Sequence, residues 1–382
     1  RIFFSEYVDS GVPFYRSKEI IESSNGQAIS EPLFISQEKY DEIKNHFGVP
    51  QSGDMLLTSV GTIGVPYIVR EKDYFKDGNL TWFRNFSDEL DSKYLYFWVK
   101  SSEGQSILNN TTIGSSQKAL TIASLKGLEI PCPPSPVQKR IVEFLAGYDD
   151  LIENNQKQIK LLEEAAQRLY KEWFVDLRFP GHETTPIVDG IPQGWERMVL
   201  SEVTSVLKRG ISPKYSDNGK YSVINQKCIR SSIMDISESR RQEKEYVPTL
   251  NLQDSDTVIC STGTGTLGRV GRVYGDYPNT TFDSHVTLVR AKENPNYIYH
   301  VVKSQQEYLM GMGRGSTNQQ ELYRDVIERL VVLCPSQDIL LKADRVLNAI
   351  HCKIKAVYLQ NNLLVESRDR LLPKLMSGEL EV

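Results

Sequence analysis

Residues 127–145 read GLEIPCPPSPVQKRIVEFL, and residues 329–347 read RLVVLCPSQDILLKADRVL. Superimposed, they set Leu128 on Leu330, Ile130 on Val332, Cys132 on Cys334 and Pro133 on Pro335. In both, a short apolar run stops at proline and opens into a longer run of helical period. A passage repeated at a fixed offset is the signature of a duplicated unit. At the same offset GDMLLTSVGT (residues 53–62) meets SDTVICSTGT (residues 255–264), pairing Asp54 with Asp256, Ser59 with Ser261, Gly61 with Gly263 and Thr62 with Thr264. Slightly out of step, GSSQ from residue 114 answers GSTNQ from residue 315, and DSKYLYFW from residue 91 answers NPNYIYHV from residue 294. VPFYRSKEI at residue 12 matches YSVINQKCI at residue 221 in pattern more than in identity.

Each half therefore follows one plan. Short β-rich runs come first (Met55–Leu57, Tyr67–Arg70, Thr257–Cys260 and Arg269–Tyr274), separated by Gly and Asn turns. A short helix, a strand ending at proline and one long helix follow. The second half opens with a lead-in, residues 191–210, that the first half lacks. The first domain is accordingly expected to begin before residue 1.

The long runs carry a heptad stripe: Ile141, Leu145, Tyr148, Ile152, Asn155, Ile159, Leu162, Ala166, Leu169 and Trp173. The second copy continues it through Ala343, Leu347, Ile350, Ile354, Val357, Asn361, Leu364, Arg368, Leu371 and Leu375, with Arg368 and Pro373 as faults. Neither stripe has another long stripe to bury against, so the two helices are expected to pair. A duplicated unit packing on its own copy about a local twofold runs antiparallel. With the first helix spanning Val137 to Asp176, that register places Asn155 opposite Asn361. A buried Asn pair would fix register and orientation; the alternative is that each Asn tolerates a half-exposed place. Forty helical residues span about 60 Å. The predicted class is α+β: two β-rich mixed domains joined by two long helices in an antiparallel coiled coil with internal pseudo-twofold duplication. The predicted boundaries are 1–135 for the first domain, 136–178 for the central helix, 179–190 for a linker, 191–335 for the second domain and 336–382 for the distal helix.

Composition bounds the function. The chain has 382 residues, 40% hydrophobic and 25% charged, enough for two domains of globular type. No run of about 18 apolar residues and no signal peptide is present, so no membrane role is expected. The five cysteines form no CxxC pair, which suits a reducing cytoplasm and argues against a zinc site. The net charge of −4 speaks against indiscriminate nucleic-acid binding. The balance is uneven, however: residues 1–131 carry 13 Lys and Arg against 17 Asp and Glu, and residues 191–333 carry 18 against 16.

Catalytic motifs fail on context. Gly263-x-Gly265-x-x-Gly268 is followed by a second strand-like run, not by the helix a dinucleotide loop requires, so it reads as a tight β-turn. NPNY (residues 294–297) sits one residue from the NPPY-type motif of adenine methyltransferases, but its counterpart is DSKY, and both read as helix starts. No glycine loop for S-adenosylmethionine is present. His46, His182, His285, His300 and His351 are scattered, and Asp149–Asp150 and Glu163–Glu164 read as solvated charges on the outer helix face.

The order of variable domain, IPCPPSPVQKRIVEFL, long helix ending YKEWFVDLRFPG, IPQGWE, second variable domain and a helix ending RLLPKLMSGEL resembles the specificity (S) subunit of type I restriction–modification systems. The resemblance implies that each variable domain is a target recognition domain for one half of a split double-stranded DNA site. It implies that the helices set the unread gap and dock methyltransferase (M) subunits, a pair of them, with nuclease-translocase (R) subunits completing the complex. It places no cofactor on this chain: S-adenosylmethionine would belong to M, and ATP with Mg to R. The complex would be a site-specific adenine-N6 methyltransferase and ATP-dependent restriction endonuclease; this subunit would itself catalyse nothing. The competing readings are a coiled-coil scaffold without DNA binding and an autonomous modifying enzyme. A ruler of about 60 Å covers at most about 17 base pairs.

Base-edge readers are Arg, Lys, Asn, Gln, Ser or Thr in exposed loops. In the first domain the candidates are Arg16, Lys18, Ser59, Thr62, Ser115, Ser116, Gln117 and Lys118. In the second they are Asn225, Lys227, Arg230, Thr262, Thr264, Arg269, Arg314, Thr317, Asn318 and Gln319, with Lys208, Arg209, Lys214 and Tyr215 as phosphate grips. Each also reads as an ordinary solvated loop residue, and those matched between halves suit phosphate or fold better than base reading. For M docking the resemblance marks Gln138, Arg140, Trp173, Phe174, Arg178, Phe179, Leu375 and Met376, of which Trp173 and Leu375 equally suit the end of the seam.

Overall fold

The computed structural model describes residues 2–24, 29, 31–70, 75–113, 118–263, 265–315 and 320–381. The chain forms two compact units, Arg1–Lys157 with Leu359–Val382, and Gln158–Tyr358.

In the first unit, strands β1 (Tyr7–Val8) and β2 (Val12–Tyr15), helix α1 (Ser17–Ser24), strand β3 (Leu33–Ile35) and helix α2 (Gln37–Phe47) come first, and β4 (Met55–Thr58), β5 (Pro66–Ile68), β6 (Phe75–Lys76) and β7 (Leu80–Phe83) follow. They make two sheets, ordered β1-β3-β2-β6 and β5-β4-β7. Helices α3 (Ser92–Lys100), α4 (Ser102–Asn110) and α5 (Ile122–Lys126) lead to the long α6 (Ser135–Tyr170). Strand β4 is buried on both faces, which is why Met55, Leu56 and Leu57 are all apolar and do not alternate with polar residues. With period two, Met55 and Leu57 join Ile141, Leu145, Leu372 and Leu375 of the long helices, while Leu56 packs with Ile20, Val69 and Leu80 on the other face.

The second unit repeats this plan. A short hairpin, β8 (Ile187–Val188) and β9 (Ile191–Pro192), precedes β10 (Glu196–Val199), β11 (Thr204–Arg209), β12 (Tyr221–Ile224), β13 (Arg240–Gln242), β14 (Thr257–Cys260), β15 (Val270–Arg272), β16 (Thr280–Phe282) and β17 (Val286–Ala291). Then come α7 (Pro295–Ser304), α8 (Gln306–Gly311), α9 (Arg324–Glu328), β18 (Val331–Cys334) and the long α10 (Gln337–Met376), which runs through Pro373. The sheet β13-β12-β16 has the same antiparallel and parallel neighbours as β3-β2-β6, so the loose match between residues 12 and 221 falls on equivalent strands. In β14 and β17, Ile259 and Val289 face the core that contains Tyr170 and Ala343 of the long helices, while Val258, Cys260 and Leu288 face the other core.

The lead-in explains the main difference between the copies. Strand β11 covers the edge of β17, and β10 pairs with β18. Among the described residues no strand covers β7 in this way, and 128–131, expected as a strand, has no ladder partner and forms none. A ladder needs a second strand, so the same apolar pattern gives a strand only in the second copy, where β10 supplies one.

Within the first unit the long helices run antiparallel. Asn155 Nδ2 donates to Asn361 Oδ1 at 2.9 Å, both residues being buried, and Arg368 Nη1 meets Asp149 Oδ1 at 2.6 Å. Arg368 is therefore no fault in the seam, because Asp149 lies opposite it. In the second unit Ile159 and Leu162 of α6 pack with Ile350, Ile354 and Tyr358 of α10. Glu163, expected in solvent, is half-buried there, and burial pushes its carboxyl up to about 7.

Candidate DNA-recognition loops

In the second unit β11 ends at Arg209, β14 at Cys260, and β15 and β17 begin at Val270 and Val286, so four strand ends and the three loops joined to them meet at one end of the sheet. The other end is committed to the helices. Arg272, 1% exposed, donates through Nη2 to Asn296 Oδ1 at 2.7 Å, and Asn296 donates to Asp344 of α10 at 3.0 Å. The free end is the one available for a ligand.

Backbone bonds tie its loops together. Leu322 N donates to Ser261 O at 2.8 Å, Ser261 N donates to His285 O at 2.8 Å, and Arg314 and Glu321 exchange bonds of 3.0 and 2.9 Å. Side chains complete the frame: Ser261 Oγ pairs with Thr287 Oγ1 at 2.6 Å, and Thr262 Oγ1 with His285 Nδ1. Buried Asp283 accepts the His285 amide at 2.9 Å, and burial raises its carboxyl above the usual range. The first unit copies the frame. Leu120 N donates to Ser59 O at 2.9 Å, Ile113 and Ala119 exchange bonds of 2.9 and 3.0 Å, and Ser59 Oγ pairs with Thr81 Oγ1 at 2.6 Å.

The candidates separate on this geometry. Ser59 is 4% exposed and spent on Thr81, so it belongs to the frame and not to a DNA contact. Its equivalent Ser261, and the matched Asp54 and Asp256, are also structural: Asp54 accepts Trp82 Nε1 at 2.8 Å, and Asp256 takes the Arg290 guanidinium on both oxygens at 2.7 Å. Asn225 is buried and caps Lys227 N at 2.8 Å. Arg16 is folded onto buried Glu19, closing the first turn of α1. Lys18 is exposed and paired with Glu31 at 2.7 Å, and Thr62 and Lys118 are exposed. Lys208, Lys227 and Arg230 are exposed without a side-chain partner among the described residues. Arg269 is half-buried, and Arg314 is exposed with its guanidinium 5.6 Å from the Tyr323 ring centre. Lys214 is exposed against Glu243 at 2.8 Å, and Tyr215 lies under the Arg240 guanidinium at 3.7 Å, its phenol raised by burial. Arg209 is bound to Glu321 and to the Ser284 carbonyl. Ser115, Ser116, Gln117, Thr264, Thr317, Asn318 and Gln319 lie outside the described residues.

Most docking candidates prove to be interior. Gln138 is fully buried, accepting from Asp91 N at 2.9 Å and donating to the Glu89 and Pro133 carbonyls at 2.7 Å, so it fastens the start of α6 to the loop before α3. Phe174 and Phe179 sit in the core around Trp195, with Trp173 half-buried against it, and Leu375 and Met376 join the core of the first unit. Only Arg140 and Arg178 of that set are well exposed, Arg178 being paired with Glu172 and Asp176. Sequence reasoning passed over Glu321, His285 and Asp283. The repeat held one signal, since Ala119 stands where the second half has Glu321. The described residues hold no group of three metal-ligating side chains and no helix long and apolar enough to cross a membrane.

Comparison with known proteins agrees with this duplicated frame. The model of the type I restriction modification DNA specificity domain matches residues 2–164 and again 192–339. The type I restriction enzyme MjaIX specificity subunit of Methanocaldococcus jannaschii is 30% identical over 86% of this chain and 78% of its own length. The HindI specificity subunit of Haemophilus influenzae is 22% identical over 68% of this chain and 71% of its own. The crystal structure of a type I restriction–modification S subunit from M. genitalium shares the fold, with TM-score 0.56 at 16% identity over 98% of this chain and 91% of that one. With two copies of the specificity domain accounting for most of its length, this chain belongs to the type I restriction–modification DNA specificity family.

Proposed function

We propose that this chain is the DNA-specificity subunit of a type I restriction–modification complex, with recognition domains at residues 1–135 and 191–335, each reading one half of an asymmetric bipartite target. The observation that carries this reading is one loop frame built twice with different side chains on it. The hydroxyl pairs Ser59–Thr81 and Ser261–Thr287 repeat, whereas Ala119 and Ile113 stand in the first frame where Glu321 and Arg314 stand in the second. A conserved frame with altered exposed groups is what two readers of different sequences require.

The subunit supplies recognition, and chemistry falls to its partners in the cytoplasm: S-adenosylmethionine on two M subunits, ATP and Mg on R. M docks on the outer faces of the long helices. The exposed apolar side chains there support this: Phe144, its ring centre 5.7 Å from that of half-buried Tyr148, and Leu151 in the first unit, and Leu161, Leu341 and Val346 in the second. Exposed aliphatic and aromatic groups at helical spacing are the mark of a covered surface.

The test is co-expression with a type I M subunit of the same genome, followed by single-molecule mapping of N6-methyladenine. A two-part motif with a fixed gap is expected, and exchanging residues 191–335 for another family member's should change one half only. A stable complex that methylates nothing would favour the scaffold reading.

A further inference from the structure

Resting on that reading, we propose that Arg209 is a base-reading residue of the second domain, donating to the O6/N7 edge of a guanine, and that Glu321 positions it. Arg209 closes β11, the strand that enters the free end of the sheet. Its backbone is locked: Gly210 N donates to Val286 O and Ile211 N to Phe282 O, both at 3.0 Å. A Cβ on Gly210 would lie 2.2 Å from the Phe282 and Asp283 carbonyl oxygens, so strand and turn approach as only glycine permits.

The guanidinium is held at two points. Nε donates to the Ser284 carbonyl and Nη1 to Glu321 Oε1. Both hydrogens on Nη2 have no acceptor among the described residues. The side chain remains 26% exposed and that of Glu321 40%, so the pair lies at the surface.

A phosphate grip and a base reader make opposite demands. Phosphate binding gains from uncompensated positive charge and tolerates a mobile side chain. Lys208, exposed and unpartnered among the described residues, fits that role. Base reading needs donors fixed in direction on a rigid element and gains little from net charge. Arg209 has its charge balanced by Glu321, its orientation fixed by two acceptors and its backbone on a strand end. In the first frame the equivalent of Glu321 is Ala119, so this device belongs to the second half-site alone.

The experiment maps methylation by the complex with M for wild type, Arg209→Lys, Glu321→Gln and Lys208→Ala. Arg209→Lys keeps the charge and loses the planar fork. Discrimination at one guanine of the second half-site should fall about tenfold or more, with the first half-site unchanged. Glu321→Gln should weaken discrimination at the same position by a smaller factor, and it keeps the test open if Arg209→Lys does not fold. Lys208→Ala should lower methylation evenly across sequences and reduce the salt slope by about one. A motif unchanged in both Arg209→Lys and Glu321→Gln, or an even loss across all sequences in Arg209→Lys, overturns the assignment while the specificity function stands. Absence of any motif from wild type overturns both.

Discussion

Replacing His300 by phenylalanine should reduce the acid sensitivity of the second unit. His300 Nε2 faces His351 Nε2 at 3.0 Å, and His351 Nδ1 meets the Tyr274 hydroxyl at 2.8 Å. All three are buried, with Tyr170 stacked on His300 and Arg272 and Lys303 adding positive field. Burial first, and then those cations, hold His300 down to about 3, against an ordinary value of 6.5. A base whose folded value is depressed binds its proton more tightly when unfolded. Its stabilising contribution is therefore complete above about pH 6.5 and drains away as pH falls towards 3. At pH 5 the unfolded imidazole is charged and the folded one is not. The loss is 1.5 pH units at about 1.36 kcal/mol each, or about 2 kcal/mol, and does not depend on whether the folded value is 2 or 4. Glu163, raised to about 7 by burial, opposes this trend, and His351, held down to about 2 by burial, adds to it, but both are present in both proteins and cancel in the comparison. Phenylalanine is the natural choice, because Phe97 stands at the equivalent place in α3 and is buried there. The measurement is hydrogen exchange of β14 and β17 amides at pH 7.5 and pH 5, corrected for intrinsic rates. The wild-type opening free energy should drop about 2 kcal/mol more than that of the variant. Equal drops would refute the buried neutral His pair.

Three further outcomes follow from the same geometry. Asn155→Leu alone strands the Asn361 amide in the seam and should cost about 1–3 kcal/mol by thermal melting. Asn155→Leu with Asn361→Leu should recover that loss, and a double cycle showing no coupling would remove the pair's role in register. Phe144→Asp with Leu151→Asp should abolish co-purification of M while leaving the helical circular dichroism signal intact, since both side chains are exposed. The bare chain should bind DNA weakly and its complex with M tightly and with steep salt dependence; equal affinities by fluorescence anisotropy would contradict shared neutralisation of phosphate.

What could be read from sequence was whatever is periodic or repeated. The heptad stripe from Ile141, the offset pairing of DSKY with NPNY and, in the passages at 127 and 329, the start of a long helix after proline all survive as structure, because helix period and repeat are properties of the chain alone. The antiparallel register read from the repeat also puts Asn155 opposite Asn361, where the structure has them. Side-chain roles were decided elsewhere. Ser59 looks like a loop hydroxyl until Thr81 comes to lie 2.6 Å from it. Gln138 looks like surface until the Glu89 loop folds over it, and Leu375 and Met376 look like a docking end until α10 brings them against β4. Arg209 and Glu321 are 112 residues apart and meet only because β11 and the segment before α9 converge on one end of the sheet. Pattern specifies which elements form and which faces they bury; exposure, charge compensation and donor direction depend on partners distant in the chain, and only the packed structure brings those partners together.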